Sequence, residues 1–441
     1  MRSLIFSILF LLNAQAAHSQ VITTIAGTGV RGESTSGTPA TAAMLYDPVS
    51  VTVDKNSNIY VVEQEANLIH KIDTNGIMTT VAGTGVWAYS VDGTPATDAT
   101  LATPKQVAFD KQGRIFFSEA GSYSIRYIDD SGLLQTKIGQ ADTGYNGDGL
   151  AASLTKVRRI TSLCFDTLGQ LYFNDEYRLR VIDTLGVVYT VAGNGIRGYG
   201  VEGQLATNSK ILPGPIAVNK LTNELYYSEI TRIRKIDSIH LLQTIVGDTI
   251  IGCDTIEIPA LSARLDYVYG ISINDSGHIY FVSNDKACVL KNDNIVHVLA
   301  GFCNAGFNGD HILASTAYLN SPFGVSFNNQ GHIFIADRFN NRIRCIGCSN
   351  QLNVEPVKKI DAASIVVAPN PSNGRQINIS IEGSVDENVQ YKLYDSQLMC
   401  VGDWLSISNK TLCIPPPLHD GIYMLEAHVK ESTLRTRLIV N

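Results

Sequence analysis

The 441-residue chain has no basic stripe and, beyond its amino-terminal segment, no long apolar run. It also has few stretches with helical hydrophobic spacing. Each absence excludes something. With 34 Lys and Arg against 41 Asp and Glu, a net charge of -7, nucleic acid and anionic membrane surfaces are poor partners, because both select clustered cations. Without a later run of about 18 apolar residues, no membrane-spanning helix is expected. There is no GxSxG elbow, no HExxH pair and no phosphate-cradling loop, so the enzyme classes those motifs mark are not indicated. No catalytic residue is assigned and no cofactor is expected. The scarcity of helical patterns, with Gly 37 and Tyr 19, leaves an all-β chain of short strands and tight turns.

The amino terminus carries Met1-Arg2-Ser3 followed by the apolar run Leu4 to Leu12, the organisation of a secretory signal peptide. Small residues at Ala17 and Ser19 place cleavage before Gln20, with Ala14-Gln15-Ala16 as the alternative. Export implies an oxidising compartment, in which the eight cysteines can form disulfides. Cys253 with Cys303 and Cys400 with Cys413 are the first pairs to test. Cys345 and Cys348 have the spacing of half a zinc knuckle but lack a second half, so a disulfide or a pair of thiols is the better reading.

A six-fold repeat dominates the rest. A glycine ends each TIAG-like strand at Gly27, Gly83, Gly139, Gly193, Gly247 and Gly301, at spacings of 56, 56, 54, 54 and 54. In register with it, Asp54, Asp110, Asp166, Asn219, Asn274 and Asn328 each end a short alternating strand, and an aromatic strand such as Ile59-Tyr60-Val61 follows. Each unit reads as four strands, which is a propeller blade. The sequence starts with a fourth-type strand, Ile22 to Gly27, and the last unit stops after its third strand at Ile346. The first strand is therefore expected to complete the last blade and remove an exposed sheet edge. One inner-strand column is small (Thr52, Ala108, Cys164, Ala217, Ser272, Ser326) and its neighbour apolar (Val51, Val107, Leu163, Ile216, Ile271, Val325), which is core patterning.

The texture AGTG, DG, VDxxGxIY and IRKID resembles the NHL-repeat propellers from Val21 to Gly347. The resemblance implies a six-bladed fold and leaves activity open, since such propellers serve as binding platforms, sensors and occasionally enzymes. The fifth unit departs from it at Ser283 and in the loop from Asp248 to Asp266.

After Cys348 the texture changes. The expected organisation is a signal peptide at 1–19, a propeller at 20–347, a linker at 348–361 and a small C-terminal β-sandwich at 362–441, with strands at Gln376–Ile381, Val389–Tyr394, Gly421–Val429 and Thr436–Val440. The pieces APNPSNG, YKLYDSQLM, DGIYMLEA and the terminal RLIVN resemble the type A sorting domain of the type IX secretion system, through Pro369, Asn370, Pro371, Gly374, Gly421 and Tyr423. That resemblance implies the type IX machinery as a partner and a protein released from, or anchored to, the outer cell surface of a Gram-negative bacterium. The other reading of this segment is an accessory β-sandwich.

Function in a propeller is sought on the loops at one face. In the fourth-to-first loops Tyr89, Tyr145, Tyr199 and Phe307 stand six residues after the ladder glycine, and Asp92, Asp148, Glu202 and Asp310 three later. These are expected to be turn formers with an aromatic plug. A second acidic column, Glu63, Glu119, Asp175, Glu229 and Asp337, offers two readings. It is a cation-binding ring at the channel mouth, or it is a set of exposed intrablade ion pairs with His70, Arg126, Arg180, Arg234 and Arg344, each worth about 0.2–1 kcal/mol. The loss of acid and base together at Ser283 and Val289 favours pairs. The histidines of the propeller do not converge as a metal site would require. The positions that vary between blades point better to a ligand: Val49, Lys105, Thr161, Gly214, Tyr269 and Phe323 at the starts of the inner strands, with Arg158 and Arg159 before the third. Lys105, Arg158, Arg159, Tyr269 and Phe323 are the candidate ligand site for a protein or glycan. The expected function is a secreted or cell-surface binding module. The alternative is a metal-dependent lyase or hydrolase at the mouth.

Overall fold

The computed structural model describes residues 21–139, 143–248, 250–254 and 257–348, together with the backbone of six strands between 364 and 440. The chain divides into two compact units, Met1–Ser349 and Asn350–Asn441.

The first unit is a six-bladed β-propeller. Blade 1 comprises the inner strand Pro48–Val53, then Ile59–Glu63, Leu68–Ile72 and the outer strand Ile77–Ala82. Blades 2 to 6 repeat this meander, with inner strands Pro104–Phe109, Leu163–Phe165, Ile216–Val218, Val268–Ile273 and Pro322–Phe327. Blade 6 has no outer strand of its own. Val21–Ala26 pairs antiparallel with Arg342–Ile346 and completes it, as the cut in the repeat predicts. Ile22, facing Ile346, is fully buried.

The four-strand blade needs one amendment. In four blades the incoming fourth-to-first loop adds a two-residue fifth strand to the outer edge, such as Thr38–Pro39 on Ile77–Met78 and Ile312–Leu313 on Val21–Ile22. Blades 2 and 4 keep only single bridges, Pro95 with Leu133 and Leu205 with Leu241. This short addition covers an edge that would otherwise be open to pairing with another chain. A buried alanine follows it in each loop: Ala40, Ala96, Ala152, Ala206, Ala260 and Ala314.

The ladder glycines have a steric cause. Each has positive φ, and a Cβ would strike the carbonyl oxygen of the residue before the third strand, for example Thr231 at Gly247 and Asn341 at Gly27. The Asp and Asn column also has one. Asp54 Oδ1 accepts the amides of Asn56 and Asn58 at 2.9 and 2.8 Å, and Asp110, Asp166, Asn274 and Asn328 repeat the arrangement, closing the first-to-second turn. The apolar inner column from Val51 to Val325 is buried throughout, and the core lies between blades: Phe116 and Ile125 of blade 2 pack with Leu163 and Leu171 of blade 3.

In the second unit, backbone pairing joins Ser364–Ala368 to Asn378–Glu382. A four-stranded antiparallel sheet runs in the order Cys400–Ser406, Val389–Tyr394, Gly421–Val429, Ser432–Val440. Gly421 and Tyr423 fall on its third member. Pro369, Asn370, Pro371 and Gly374 lie outside the described residues, as do residues 1–20.

Candidate functional site

The starts of the six inner strands converge on one mouth. Val49, Lys105, Thr161, Gly214, Tyr269 and Phe323, one from each blade, all line a cavity of about 650 Å³. Arg159 lines it as well, so four of the five candidate residues meet there. Arg158 does not. Its exposed guanidinium turns to Glu176 at 2.9 Å, and its amide donates to Asp175 Oδ1 at 2.7 Å.

One wall of the cavity is aromatic. Tyr269 stacks on Phe323 at 4.7 Å between ring centroids and on Tyr267 at 6.0 Å, and Arg338 lies over Phe323 at 5.3 Å. The other side is polar. Buried Asn174 accepts the Thr161 and Ser162 amides at 2.8 and 2.9 Å and donates to Thr161 Oγ1 at 2.7 Å and to the Gly214 carbonyl at 3.3 Å. It thereby fixes the floor between blades 3 and 4. Lys105 donates to Gln64 Oε1 of the neighbouring blade's turn. Burial, and then the nearby charges of Arg159 and Arg338, push its pKa down from 10.5 to about 8.

Sequence reasoning missed Asn174, Tyr267, Arg197 and Arg338. The signal for part of this was present, since the acid-to-cation spacing is seven residues in blades 1, 2 and 6 and five in blades 3 and 4. Blades 3, 4 and 5 make the second-to-third turn with two residues, Glu176-Tyr177, Ile230-Thr231 and Asn284-Asp285, whereas blade 6 spends four on the turn that carries Arg338. Ile230 holds a left-handed φ of 53°, an uncommon conformation for a β-branched residue, where it lines the mouth.

The acidic column is not a ring at the mouth. Glu63, Glu119, Asp175, Glu229 and Asp337 are buried and line no part of the cavity, and among the described residues no three His, Cys, Asp or Glu side chains converge as a metal site needs. Nor are the pairs exposed. Arg126, Arg180, Arg234 and Arg344 are fully buried, at 3.5, 3.2, 3.2 and 3.7 Å from their acids, and His70 is 3.7 Å from Glu63. The surface-pair magnitude therefore does not apply, and removal of one partner would strand a buried charge. Burial raises the carboxyl pKa of Glu119, Asp175 and Glu229, and pushes that of Asp337 up to about 6.

Each arginine also reaches the incoming loop. Arg126 meets Asp92 at 3.0 Å and lies 4.7 Å from the Tyr89 ring; Arg180 does the same with Asp148 and Tyr145, and Arg344 with Asp310 and Phe307. The loop acids are thus partners of buried arginines rather than simple turn formers. They bind the outer strand as well, through Thr136 to Asp92 at 2.7 Å, Thr190 to Asp148 at 2.9 Å, Thr244 to Glu202 at 2.9 Å and Thr24 to Asp310 at 2.8 Å. The strand acids in turn hold the segment that enters the mouth, three residues before its lining residue: Glu119 accepts the Ala102 amide and Asp337 the Asn320 amide, at 2.9 and 2.7 Å.

Blade 5 lacks the whole assembly. The residue matched to the arginines is Cys288, paired across from Phe281, and not Val289. Ser283 and Cys288 stand five residues apart, the spacing of the acid and arginine in blades 3 and 4, which have the same two-residue turn. Ser283 replaces the acid, and its hydroxyl still accepts the Asp266 amide at 3.1 Å. A disulfide joins Cys253 to Cys303, and a second joins Cys345 to Cys348. The Cys400 and Cys413 side chains lie outside the described residues.

With this architecture in view, the family comparison is decisive: a model of the teneurin NHL domain matches residues 86–146 and 140–347. The chain belongs to the teneurin NHL domain family. Human Teneurin-4 is 23% identical over 346 residues, covering 68% of this chain and 12% of that protein, and human Teneurin-1 is 26% identical over 251 residues, covering 51% and 9%. The chain thus spans only about a tenth of the length of these relatives. Among solved structures, an auxiliary nutrient binding protein from Bacteroides thetaiotaomicron superposes with a TM-score of 0.56 at 17% identity, over 74% of this chain and 76% of that one. At that identity the likeness is one of fold. No helix among the described residues is long and apolar enough to cross a membrane.

Proposed function

We propose that this NHL propeller is a ligand-binding module whose site is the channel-mouth cavity. The observation that carries the reading is the convergence of the six variable inner-strand positions on one cavity. Its lining differs from blade to blade while the scaffold beneath it repeats. A volume of about 650 Å³ suits a small molecule or a few residues of a polymer. The description of the similarly folded Bacteroides thetaiotaomicron protein as nutrient binding agrees with this reading. The carboxylate ring on which the metal-dependent lyase or hydrolase alternative rests is absent from the cavity lining, since four of its acids pair with arginines inside their own blades and Glu63 faces His70.

The signal-like segment at 1–19 and the sorting-domain resemblance of 362–441 support export to the outer cell surface through the type IX machinery. Deletion of 362–441 followed by cell fractionation tests that part. Retention of a folded propeller in the periplasm supports it, and unchanged surface delivery overturns it.

Binding is tested by thermal-shift screening of the full chain against glycan and peptide pools. Stabilisation that disappears in Phe323→Ala and Lys105→Ala supports the mouth site. Stabilisation that persists in both variants, or the absence of any hit, overturns it.

A further inference from the structure

The cavity has a charge that the rest of the protein does not. The chain is net acidic at -7, yet the cavity is lined by three cations, Lys105, Arg159 and Arg197, against one carboxylate, Glu176. That carboxylate is already paired with Arg158. Arg159 and Arg197 are exposed, and neither side chain has a hydrogen-bond or ion-pair partner among the described residues. Two free guanidinium groups and a half-buried ammonium at one mouth form an anion-binding arrangement, since guanidinium pairs carboxylate or sulfate through parallel donors.

The remainder of the lining narrows the ligand further. Tyr269 and Phe323 supply an apolar wall suited to the C–H face of a sugar ring. Gln106, Thr161 and Tyr177 place an amide and hydroxyls around it, the groups that exchange hydrogen bonds with a polyhydroxylated ligand, on the floor that Asn174 fixes.

We propose that the mouth cavity takes an acidic saccharide, its carboxylate or sulfate held by Arg159, Arg197 and Lys105 and its ring against the Tyr269 and Phe323 wall. The proposal rests on the ligand-binding reading above and names the chemical class of the ligand. It requires no covalent step.

The test is isothermal titration of the full chain with three tetrasaccharides: tetragalacturonate, its fully methyl-esterified form, and a sulfated galactan tetramer. Esterification removes the charge and keeps the rings, and comparison of the two acids separates carboxylate from sulfate as the source of the anion. The expected result is binding of at least one acid, weakened tenfold or more in the ester and in Arg159→Gln and Lys105→Met. Phe323→Ala should weaken acid and ester alike. Equal binding of acid and ester, or unchanged affinity in both charge variants, overturns the anionic assignment and leaves the mouth as a neutral-ligand site. If no tetrasaccharide binds while a peptide pool stabilises the protein at the mouth, the saccharide class is wrong and the binding reading survives. If neither saccharide nor peptide binds, both fail.

Discussion

Cys253 stands six residues after its ladder glycine, the position that Tyr89, Tyr145, Tyr199 and Phe307 hold in other blades, and it is bonded to Cys303 of the next loop. The same blade has lost its strand acid, its buried arginine and its outer-strand threonine, with Ser283, Cys288 and Val298 in their places. A covalent link thus ties down the loop that elsewhere is held by an arginine sandwiched between an aromatic ring and two acids. The fifth unit, which departs most from the repeat, is re-engineered rather than degraded.

This substitution predicts where reduction will act. Cys253→Ser should lower stability by about 2–4 kcal/mol, because the bond closes a loop of 50 residues. Reductant should add little further loss through this bond in the variant. Urea denaturation of both forms with and without dithiothreitol measures it, and equal midpoints for oxidised wild type and variant would contradict the assignment.

The buried pairs predict a steep contrast with a surface pair. Arg126→Met should cost about 3–5 kcal/mol, because Glu119 is left buried without its cation. Arg158→Ala, which breaks a largely exposed contact with Glu176 at 2.9 Å, should cost about 1 kcal/mol or less. The double change Glu119→Leu with Arg126→Met should recover part of the loss. A double variant less stable than Arg126→Met alone would show that the pair is not the relevant unit.

Ring closure makes the first strand a stability element of the last blade. Ile22→Ala removes a fully buried side chain and should cost about 2–5 kcal/mol, as for other large-to-small core changes. Denaturant titration checks it, and a loss below about 0.5 kcal/mol would mean the closing strand is dispensable.

Lys105 gives the mouth a pH signature. Its folded pKa of about 8 lies below the ordinary 10.5, so in the window between them the unfolded chain binds more protons than the folded one, and this lysine's contribution makes stability rise with pH there. The groups acting on it are Arg159 and Arg338, which repel its charge, and Glu65, which favours it. Lys105→Met should remove that rise from the difference between the two stability profiles over pH 8 to 10.5. An anionic ligand should be bound with proton uptake above pH 8, seen as calorimetric heats that depend on buffer ionisation. Parallel stability profiles would contradict the assignment.

Much of the scaffold was legible because it is repeated. Six copies of a glycine forced by a carbonyl contact, and five matching Asp or Asn turns with a longer variant at Asn219, report the same physics again and again, and the missing strand at Ile346 announced the closure by Ile22. The cavity-lining column was legible for the opposite reason: Lys105, Tyr269 and Phe323 break a pattern that surrounds them. What escaped was contact between the incoming loop and the blade it enters. The matched columns pair Arg126 with Glu119, but no spacing adds Asp92 from the incoming loop, and in blade 5 the residue facing Phe281 is Cys288 and not Val289. The exposure of the acidic column was misjudged because charged residues are seldom fully buried unless paired, and here their partners bury them.

On the proposal above, ligand binds at the variable mouth and not at the repeated acids. Hydrogen exchange of the full chain with and without a ligand found by thermal-shift screening tests it most directly. The predicted result is protection confined to the segments bearing Lys105, Arg159, Tyr269 and Phe323, with the outer strands unchanged. Protection on the opposite face or along the outer strands, with the mouth unaffected, would contradict it.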